Sequence, residues 1–390
     1  MNTKFTITRD QLNQLKEKNK LYSYIYSSFT KAFFKISENR FIFMLRGNNG
    51  VLQTSLSIDF TGEPVYYSIE YNKWQTVLQK YSESEKIDFV ISKNTLKITA
   101  NEDPDLINLS LNIYSPDSNE AIIIDDFIRT KREEVIQDNK CLTLNEELLS
   151  NLNFVDSLFT TQGRVNSVGL GIDSIVYSDR ALVVKSYLSE NFPEELFSSL
   201  SDGSGSYIYL HTAIIKLLPL LYRTNTNIYF SRDYNILYWS DDDTEIYIAS
   251  PDREVVLPTE EEFKNIQPPS GSPTFSIDSG VLSNCLEFFD GFYEGSAWKP
   301  ITFNINANKD ISLYYKHPTT EITKILPGAV CNTDGSFTID SEMLKKIINR
   351  VKDSDAEEKV NITFDEDAPG VYLSAGTVDY EAVFSKLSGE

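Results

Sequence analysis

A short phrase recurs six times along this chain of 390 residues. An apolar residue, any residue, a second apolar residue and a polar one lead into a helical pattern at Phe5/Ile7/Thr8, Tyr67/Ile69/Glu70, Leu142/Leu144/Asn145, Ile208/Leu210/His211, Phe275/Ile277/Asp278 and Phe337/Ile339/Asp340. The starts lie 62, 75, 66, 67 and 62 residues apart. A repeat of this period constrains the fold more than any single motif, because every element must fit one supersecondary unit.

Each triplet alternates as a half-buried strand does, and most of the polar residues after it can accept a hydrogen bond from the free N–H groups of a helix start; Glu70 and His211 are the weak caps. The period then becomes helical, as in Leu148/Leu149/Leu152/Val155 or Met343/Leu344/Ile347/Ile348/Val351. Short alternating runs follow each helix, for example "KIDFVISK" and "TLKITANE" after the second. The unit reads βαβββ. Six units taken in pairs predict an α+β chain of three domains, residues 1–130, 131–268 and 269–390, each of ordinary domain size. The charged stretch 125–140 and the Pro/Ser/Gly stretch 268–273 are expected to be linkers.

Composition excludes several function classes. Cys141, Cys285 and Cys331 are too scattered for a disulfide framework or a zinc site, and point to a reducing compartment. No metal or other cofactor is implied. The N-terminus lacks an apolar signal core, and the longest apolar run, residues 213–222, is interrupted by Lys216 and Pro219, so a soluble cytoplasmic protein without membrane association is expected. Only His211 and His317 are available for acid–base work. The acidic stretches "SDDDTE" (240–245) and "DEDAPG" (365–370) lack the ordered oxygen-ligand spacing of a calcium loop and read as turns. A non-enzymatic protein is expected, with a hydrolase built on those acidic loops as the lesser alternative. A β-rich structural or assembly protein that shares the repeat is the other.

The net charge of −21 opposes nucleic-acid binding unless the basic residues are segregated. They are. The six helical windows together hold eleven basic and eleven acidic residues, so the whole excess of negative charge lies outside them. Lys16, Lys20, Lys73, Lys80, Lys216, Arg223, Lys345, Lys346 and Arg350 are the predicted phosphate contacts; each alone is equally explained as the solvated face of an amphipathic helix. The third and fifth helices are acidic, through Glu146, Glu147, Asp156, Glu287, Asp290 and Glu294.

Three local echoes make a resemblance specific. "VYSDRALVVKSYL" (176–188) is similar to a segment with a TDGHRLA-like motif, although its Gly-His pair is absent and Asp179 runs directly to Arg180. "YIASPDREVVLPTEEEFKNIQP" (247–268) is similar to a strand running into an FPDYRRVLP-like stretch, and "YEAVFSKL" (380–387) to a C-terminal strand. Together with six βαβββ units, they make the whole chain resemble a divergent, virus-like member of the bacterial DNA polymerase III β sliding clamp family.

That resemblance implies a head-to-tail homodimeric ring around double-stranded DNA, with helices inside and antiparallel sheets outside. Its implied partners are DNA of any sequence, a replicative DNA polymerase, the clamp loader ATPase and a second copy of the chain. The implied location is the cytoplasm, or the host cytoplasm for a viral protein. The family's peptide pocket maps to Leu170, Arg180, Leu182, Pro258, Ile266, Val371, Phe384 and Leu387. The dimer contact maps to Ile107, Leu109 and Leu111 on one side and to Phe292 and Tyr293 on the other. Plain core packing is the competing role for each of these apolar residues.

Overall fold

In a computed structural model of the protein, the described residues are 2–25, 31–47, 50–60, 65–81, 84–100, 109–113, 118–138, 140–159, 167–179, 181–197, 207–210, 212–222, 226–231, 236–249, 257–293, 299–307, 310–354, 358–375 and 380–386. The first repeat comprises β1 (Asn2–Thr8), α1 (Arg9–Ile25), β2 (Lys31–Ser37), β3 (Arg40–Gly47) and β4 (Gly50–Ser57). The second comprises β5 (Val65–Glu70), α2 (Tyr71–Lys80), β6 (Lys86–Ser92), β7 (Thr95–Ala100) and β8 (Leu109–Asn112), and is followed by a helix, α3 (Ser118–Asp138). The third comprises β9 (Lys140–Thr143), α4 (Glu146–Leu158), β10 (Ser167–Leu170), β11 (Ser174–Ser178) and β12 (Leu182–Tyr187), with a short α5 (Glu194–Phe197) after it. The fourth comprises β13 (Ile208–Leu210), α6 (Thr212–Leu221), β14 (Asn227–Phe230), β15 (Ile236–Ser240) and β16 (Thr244–Ala249), followed by α7 (Glu260–Asn265). The fifth comprises β17 (Thr274–Asp278), α8 (Ser279–Phe289), β18 (Pro300–Ile305), β19 (Asp310–His317) and β20 (Thr320–Val330). The sixth comprises β21 (Gly335–Asp340), α9 (Ser341–Ser354), β22 (Lys359–Thr363), β23 (Gly370–Ala375) and β24 (Tyr380–Ser385).

Each phrase lies where a strand gives way to a helix. Their caps differ in strength. Thr8 and Gln11 cap α1 reciprocally, Asn145 Oδ1 accepts from Leu148 N at 2.7 Å, and Asp340 Oδ1 accepts from Glu342 N and Met343 N. Glu70 makes no side-chain cap bond, as expected of a weak cap, and neither does Asp278, whose residue type favours one. His211 lies outside the described residues.

Repeats interlock in pairs because the first strand of each joins the meander of its neighbour. β1 pairs with β6 and β5 with β2; β9 pairs with β14 and β13 with β10; β17 pairs with β22 and β21 with β18, all antiparallel. A lone βαβββ unit cannot complete its sheet, which is why the sequence period has to be read in twos. The last strands of the meanders follow a second rule: β4 pairs with β16, and β12 with β24.

The chain divides into two compact units, Met1–Leu144 with Lys216–Pro251, and Asn145–Ile215 with Asp252–Glu390. Each holds one four-stranded and one eight-stranded sheet. In the first unit, Trp74 of α2 packs edge-on to Phe34 and against Phe41 and Phe43, which share one face of the eight-stranded sheet. In the second, Phe275, Phe303, Phe337 and Phe364 form a comparable chain of rings.

The expected linker at 125–140 is instead largely the C-terminal half of α3. Ile128 and Val135, two turns apart, bury themselves on Phe33, Met44, Val51, Tyr238 and Tyr247, on the sheet face opposite Trp74. A charged composition disguised a helix whose apolar stripe is only two residues wide over this stretch. In the second unit the equivalent face, formed by Val176, Val183 and Val383, is covered by Leu257, Phe263 and Ile266. Gly169 makes this close approach feasible, since a Cβ there would lie 2.3 Å from Leu257 Cδ1.

Candidate functional site

The basic helix residues fall into distinct environments. Lys20, Lys80 and Lys216 are exposed, and Lys16 is half-buried. Lys73 pairs with Glu70 at 2.8 Å, Lys346 with Glu342 at 3.5 Å, and Lys345 with Asp290. Lys299 lies beside Glu342 as well, and its hydrogen bond, with Lys346 nearby, holds that carboxyl below the usual range against the opposing effect of burial. Arg350 is engaged within its own unit, where it donates to Tyr380 Oη at 2.9 Å and to Ser150 Oγ at 2.6 Å and lies over the Phe154 ring. Arg223 lies outside the described residues.

Two carboxylates of the acidic helices are also engaged. Glu147 accepts from both Ser189 N and Ser189 Oγ at 2.7 Å, and Asp290 is met by Lys345. Their charge is directed at groups of the protein rather than at solvent alone.

The residues expected at a peptide pocket separate by strand alternation. Leu182 faces Phe384 across the β12–β24 seam, Phe384 faces Val371, and these side chains with Leu170 are buried on the face that carries α4. Ile266 is half-buried on the other face, against Val183 and Val383. Pro258 is half-buried at the start of the same covering segment. Arg180 and Leu387 lie outside the described residues.

Lys185 and Glu381 stand opposite one another in the centre of that second face. Lys185 reaches Glu260 of α7 at 2.5 Å, while Glu381 accepts from Tyr187 at 3.1 Å and from Tyr372 at 2.9 Å. Burial, with Glu260 beside it, pushes the Tyr207 hydroxyl up to about 12. Neighbouring residues in sequence mark this surface, but the network depends on the register between β12 and β24, which no local motif reports.

Two last strands, β8 and β20, are outermost in their four-stranded sheets. Leu109 and Leu111 of β8 are half-buried there, and Ile107 lies outside the described residues. Beside β20, Tyr293 is buried in the core, stacked edge-on with Tyr315 and donating to Pro300 O. Phe292 is exposed, 5.6 Å from Phe288, itself 47% exposed, and Ile325 on β20 is 58% exposed. The sequence reading missed Phe288, Ile325 and Val330. Three large apolar side chains on or beside an open edge are the signal that only strand pairing reveals.

The acidic loops are built as turns. Asp241 Oδ1 accepts from Asp243 N and Thr244 N while Oδ2 meets Lys18 at 2.5 Å; Asp365 Oδ1 accepts from Asp367 N. Among the described residues no cluster of His, Cys, Asp and Glu could hold a metal ion, and no helix is long and apolar enough to cross a membrane.

No protein-family model matches the sequence, and no curated protein does. Solved structures do match. The C. crescentus beta sliding clamp is similar over 100% of both chains, with a TM-score of 0.73 at 9% identity. The DNA polymerase sliding clamp of Pseudomonas aeruginosa covers 99% of this chain and 100% of its own, at a TM-score of 0.71 and 11% identity. The beta subunit from the DNA polymerase of Streptococcus pyogenes gives the same coverage at 0.69 and 11%. With its interlocked βαβββ pairs, the chain therefore has the repeated clamp-domain fold of bacterial DNA polymerase III β subunits.

Proposed function

We propose that this protein is a DNA sliding clamp, a non-enzymatic ring that encircles duplex DNA and keeps a replicative polymerase at its template. The observation that carries the reading is the rule for last strands. Two pairs, β4 with β16 and β12 with β24, are completed within the chain, and each makes an eight-stranded sheet. β8 and β20 remain, each at the edge of a four-stranded sheet. Joined antiparallel between two copies, they would make a third sheet of the same kind. The contact is heterologous, so it generates a ring if the rotation closes, here after two copies and three clamp domains from each. Leu109 and Leu111 would meet Phe288, Phe292, Ile325 and Val330, which removes an aggregation-prone edge.

The basic helix residues supply contacts to phosphate without base readout, and such contacts permit sliding. Lys20, Lys80 and Lys216, which are exposed, would supply such contacts together with the half-buried Lys16, whereas Arg350 serves the protein itself. A closed ring cannot thread onto circular DNA unaided, which accounts for a loader ATPase. An apolar polymerase peptide would be taken at the β12–β24 seam, on the face of Leu182 and Phe384 after local opening, raising the polymerase's effective concentration at the primer end.

The test is retention after loading onto circular and linearised DNA of one sequence. Retention on the circle and loss from the open ends is expected; equal retention overturns the reading. Light scattering at micromolar concentration should give twice the chain mass, and a strict monomer would remove the two-copy ring.

A further inference from the structure

Charge is divided unequally between the repeat helices of the two units. In the first unit α1 carries a net +2 and α2 a net +2, and Lys216 of α6 adds one more positive charge. In the second, α4 carries −3, α8 −1 and α9 +2. The cations of α9 are all half-buried and all engaged within their own unit. Lys345 meets Asp290, Lys346 lies 3.5 Å from Glu342, Arg350 donates to Tyr380 and Ser150, and Lys352 donates to Ser283 Oγ at 3.4 Å.

The surface of α2 is finished differently. The helix contains no carboxylate, and its exposed residues, Asn72, Thr76, Gln79 and Lys80, recur at the spacing of a single stripe, while Trp74, Val77 and Leu78 fix the opposite face in the core. The stripe therefore offers amide, hydroxyl and ammonium donors with no acidic neighbour on the same helix. Tyr71 of α2 donates to Asn19 Oδ1 of α1 at 3.2 Å, which brings the turn that carries the exposed Lys20 beside α2. The corresponding exposed stripe of α4 is Glu146, Asn153 and Ser157, with a carboxylate and no cation. On a chain of net charge −21, a carboxylate-free face rich in donors is the kind of surface that a phosphate backbone can approach without local repulsion.

We propose that duplex DNA is held one-sidedly: the α2 stripe, with Lys20 and Lys216, carries the phosphate contacts of each copy from its first unit, and the cations of α9 serve the fold. The ligand, duplex DNA of any sequence, is taken from the clamp reading, on which this assignment rests. Phosphate contacts of this kind carry no base readout, so the asymmetry positions the duplex without selecting its sequence.

The experiment compares two matched double variants of the full chain by fluorescence anisotropy with a labelled duplex of about 30 base pairs, at about 20 to 200 mM salt. Thr76→Glu with Gln79→Glu alters α2, and Ser157→Glu with Asn153→Glu alters α4. Each pair replaces one exposed hydroxyl and one exposed amide, and Thr76 and Ser157 both donate to carbonyls of their own helix. Net charge changes equally, so only its place differs. At about 50 mM salt the α2 pair should weaken binding about tenfold or more and the α4 pair less than about twofold. Lys345→Gln with Lys346→Gln should leave the salt slope unchanged. Thr76→Lys with Gln79→Lys should tighten binding more than Ser157→Lys with Asn153→Lys does, which reads the same asymmetry without adding a carboxylate. Equal losses in the two glutamate pairs, a slope that falls with Lys345 and Lys346, or no duplex binding at the lowest salt overturns the proposal. Retention on circular DNA separates the two readings: a chain retained on circles whose glutamate pairs lose affinity equally is a clamp that grips evenly, and selective loss through α2 without such retention is one-sided binding by a protein that is not a clamp.

Discussion

Arg350 donates a 2.9 Å hydrogen bond from Nε to the hydroxyl of Tyr380, and that hydroxyl in turn donates to Asn151 Oδ1 at 2.9 Å. Asn151 Oδ1 also accepts from Ser186 Oγ at 3.1 Å, and the Arg350 fork reaches Ser150 Oγ. One guanidinium thereby ties α9 to α4 and, through Tyr380, to β24.

Arg350→Ala should destabilise the second unit by about 2 kcal/mol, since it removes two hydrogen bonds from a charged donor, one to the buried Tyr380 hydroxyl and one to the half-buried Ser150 hydroxyl. Arg350→Lys should recover little of this, because an ammonium cannot reproduce the planar fork. Urea denaturation monitored by circular dichroism checks both; wild-type midpoints in both variants would remove the structural role.

Gly169→Ala tests the cover over the second seam. Its Cβ would lie 2.3 Å from Leu257 Cδ1 and 2.9 Å from Tyr207 Cβ, so the segment at 257–266 must lift. A loss of about 1–3 kcal/mol is expected from overpacking, with faster proteolysis within that segment. Mass mapping of the fragments identifies the cleavage sites.

Val135→Asp should free α3 from its sheet. Val135 is fully buried with Met44 and Tyr238, and an unpaired carboxylate there costs several kcal/mol unless the helix detaches. Hydrogen exchange should show loss of protection in 126–137 while the strands beneath keep theirs.

Acid should weaken the first unit through Asp241. Burial raises its pKa, but the hydrogen bond and charge of Lys18, with the backbone N–H groups of Asp243 and Thr244, outweigh that and leave it below the usual range. A carboxyl held lower in the folded state contributes stability above its unfolded value, near 3.8, and loses that contribution as pH falls through the folded value. Asp241→Asn should therefore flatten the fall in stability below about pH 4. Melting temperatures between pH 2 and 7 measure the slope.

Replacing Lys20, Lys80 and Lys216 together by Gln should lower DNA affinity and reduce the slope of log affinity against log salt by about 0.9 for each phosphate that is no longer neutralised. An unchanged slope would place the phosphate-binding cations elsewhere on the chain.

Much of the fold was legible because a sheet-forming repeat writes itself locally. Phe337, Ile339 and Asp340 specify a strand end and a helix cap within four residues, and the stripe from Met343 to Val351 specifies which helix face is buried. Charge segregation was legible for the same reason, since counting needs no partner. The employment of each charge was not. Arg350 and Lys345 look alike along α9, yet one sits in a buried hydrogen-bond network and the other beside Asp290.

The sequence by itself determined the units: six strand–helix–meander modules, their order, and the apolar faces that each must hide. Tertiary structure decided how they complete one another. The exchange of first strands, the joining of β4 to β16 and of β12 to β24, the conversion of an apparent linker into α3, and the exposure of Phe288 and Ile325 beside β20 all depend on pairings between residues distant in the chain. Local propensity carries no record of which edge a strand will meet, because backbone hydrogen bonds are the same for every partner and only the packed side chains choose among them.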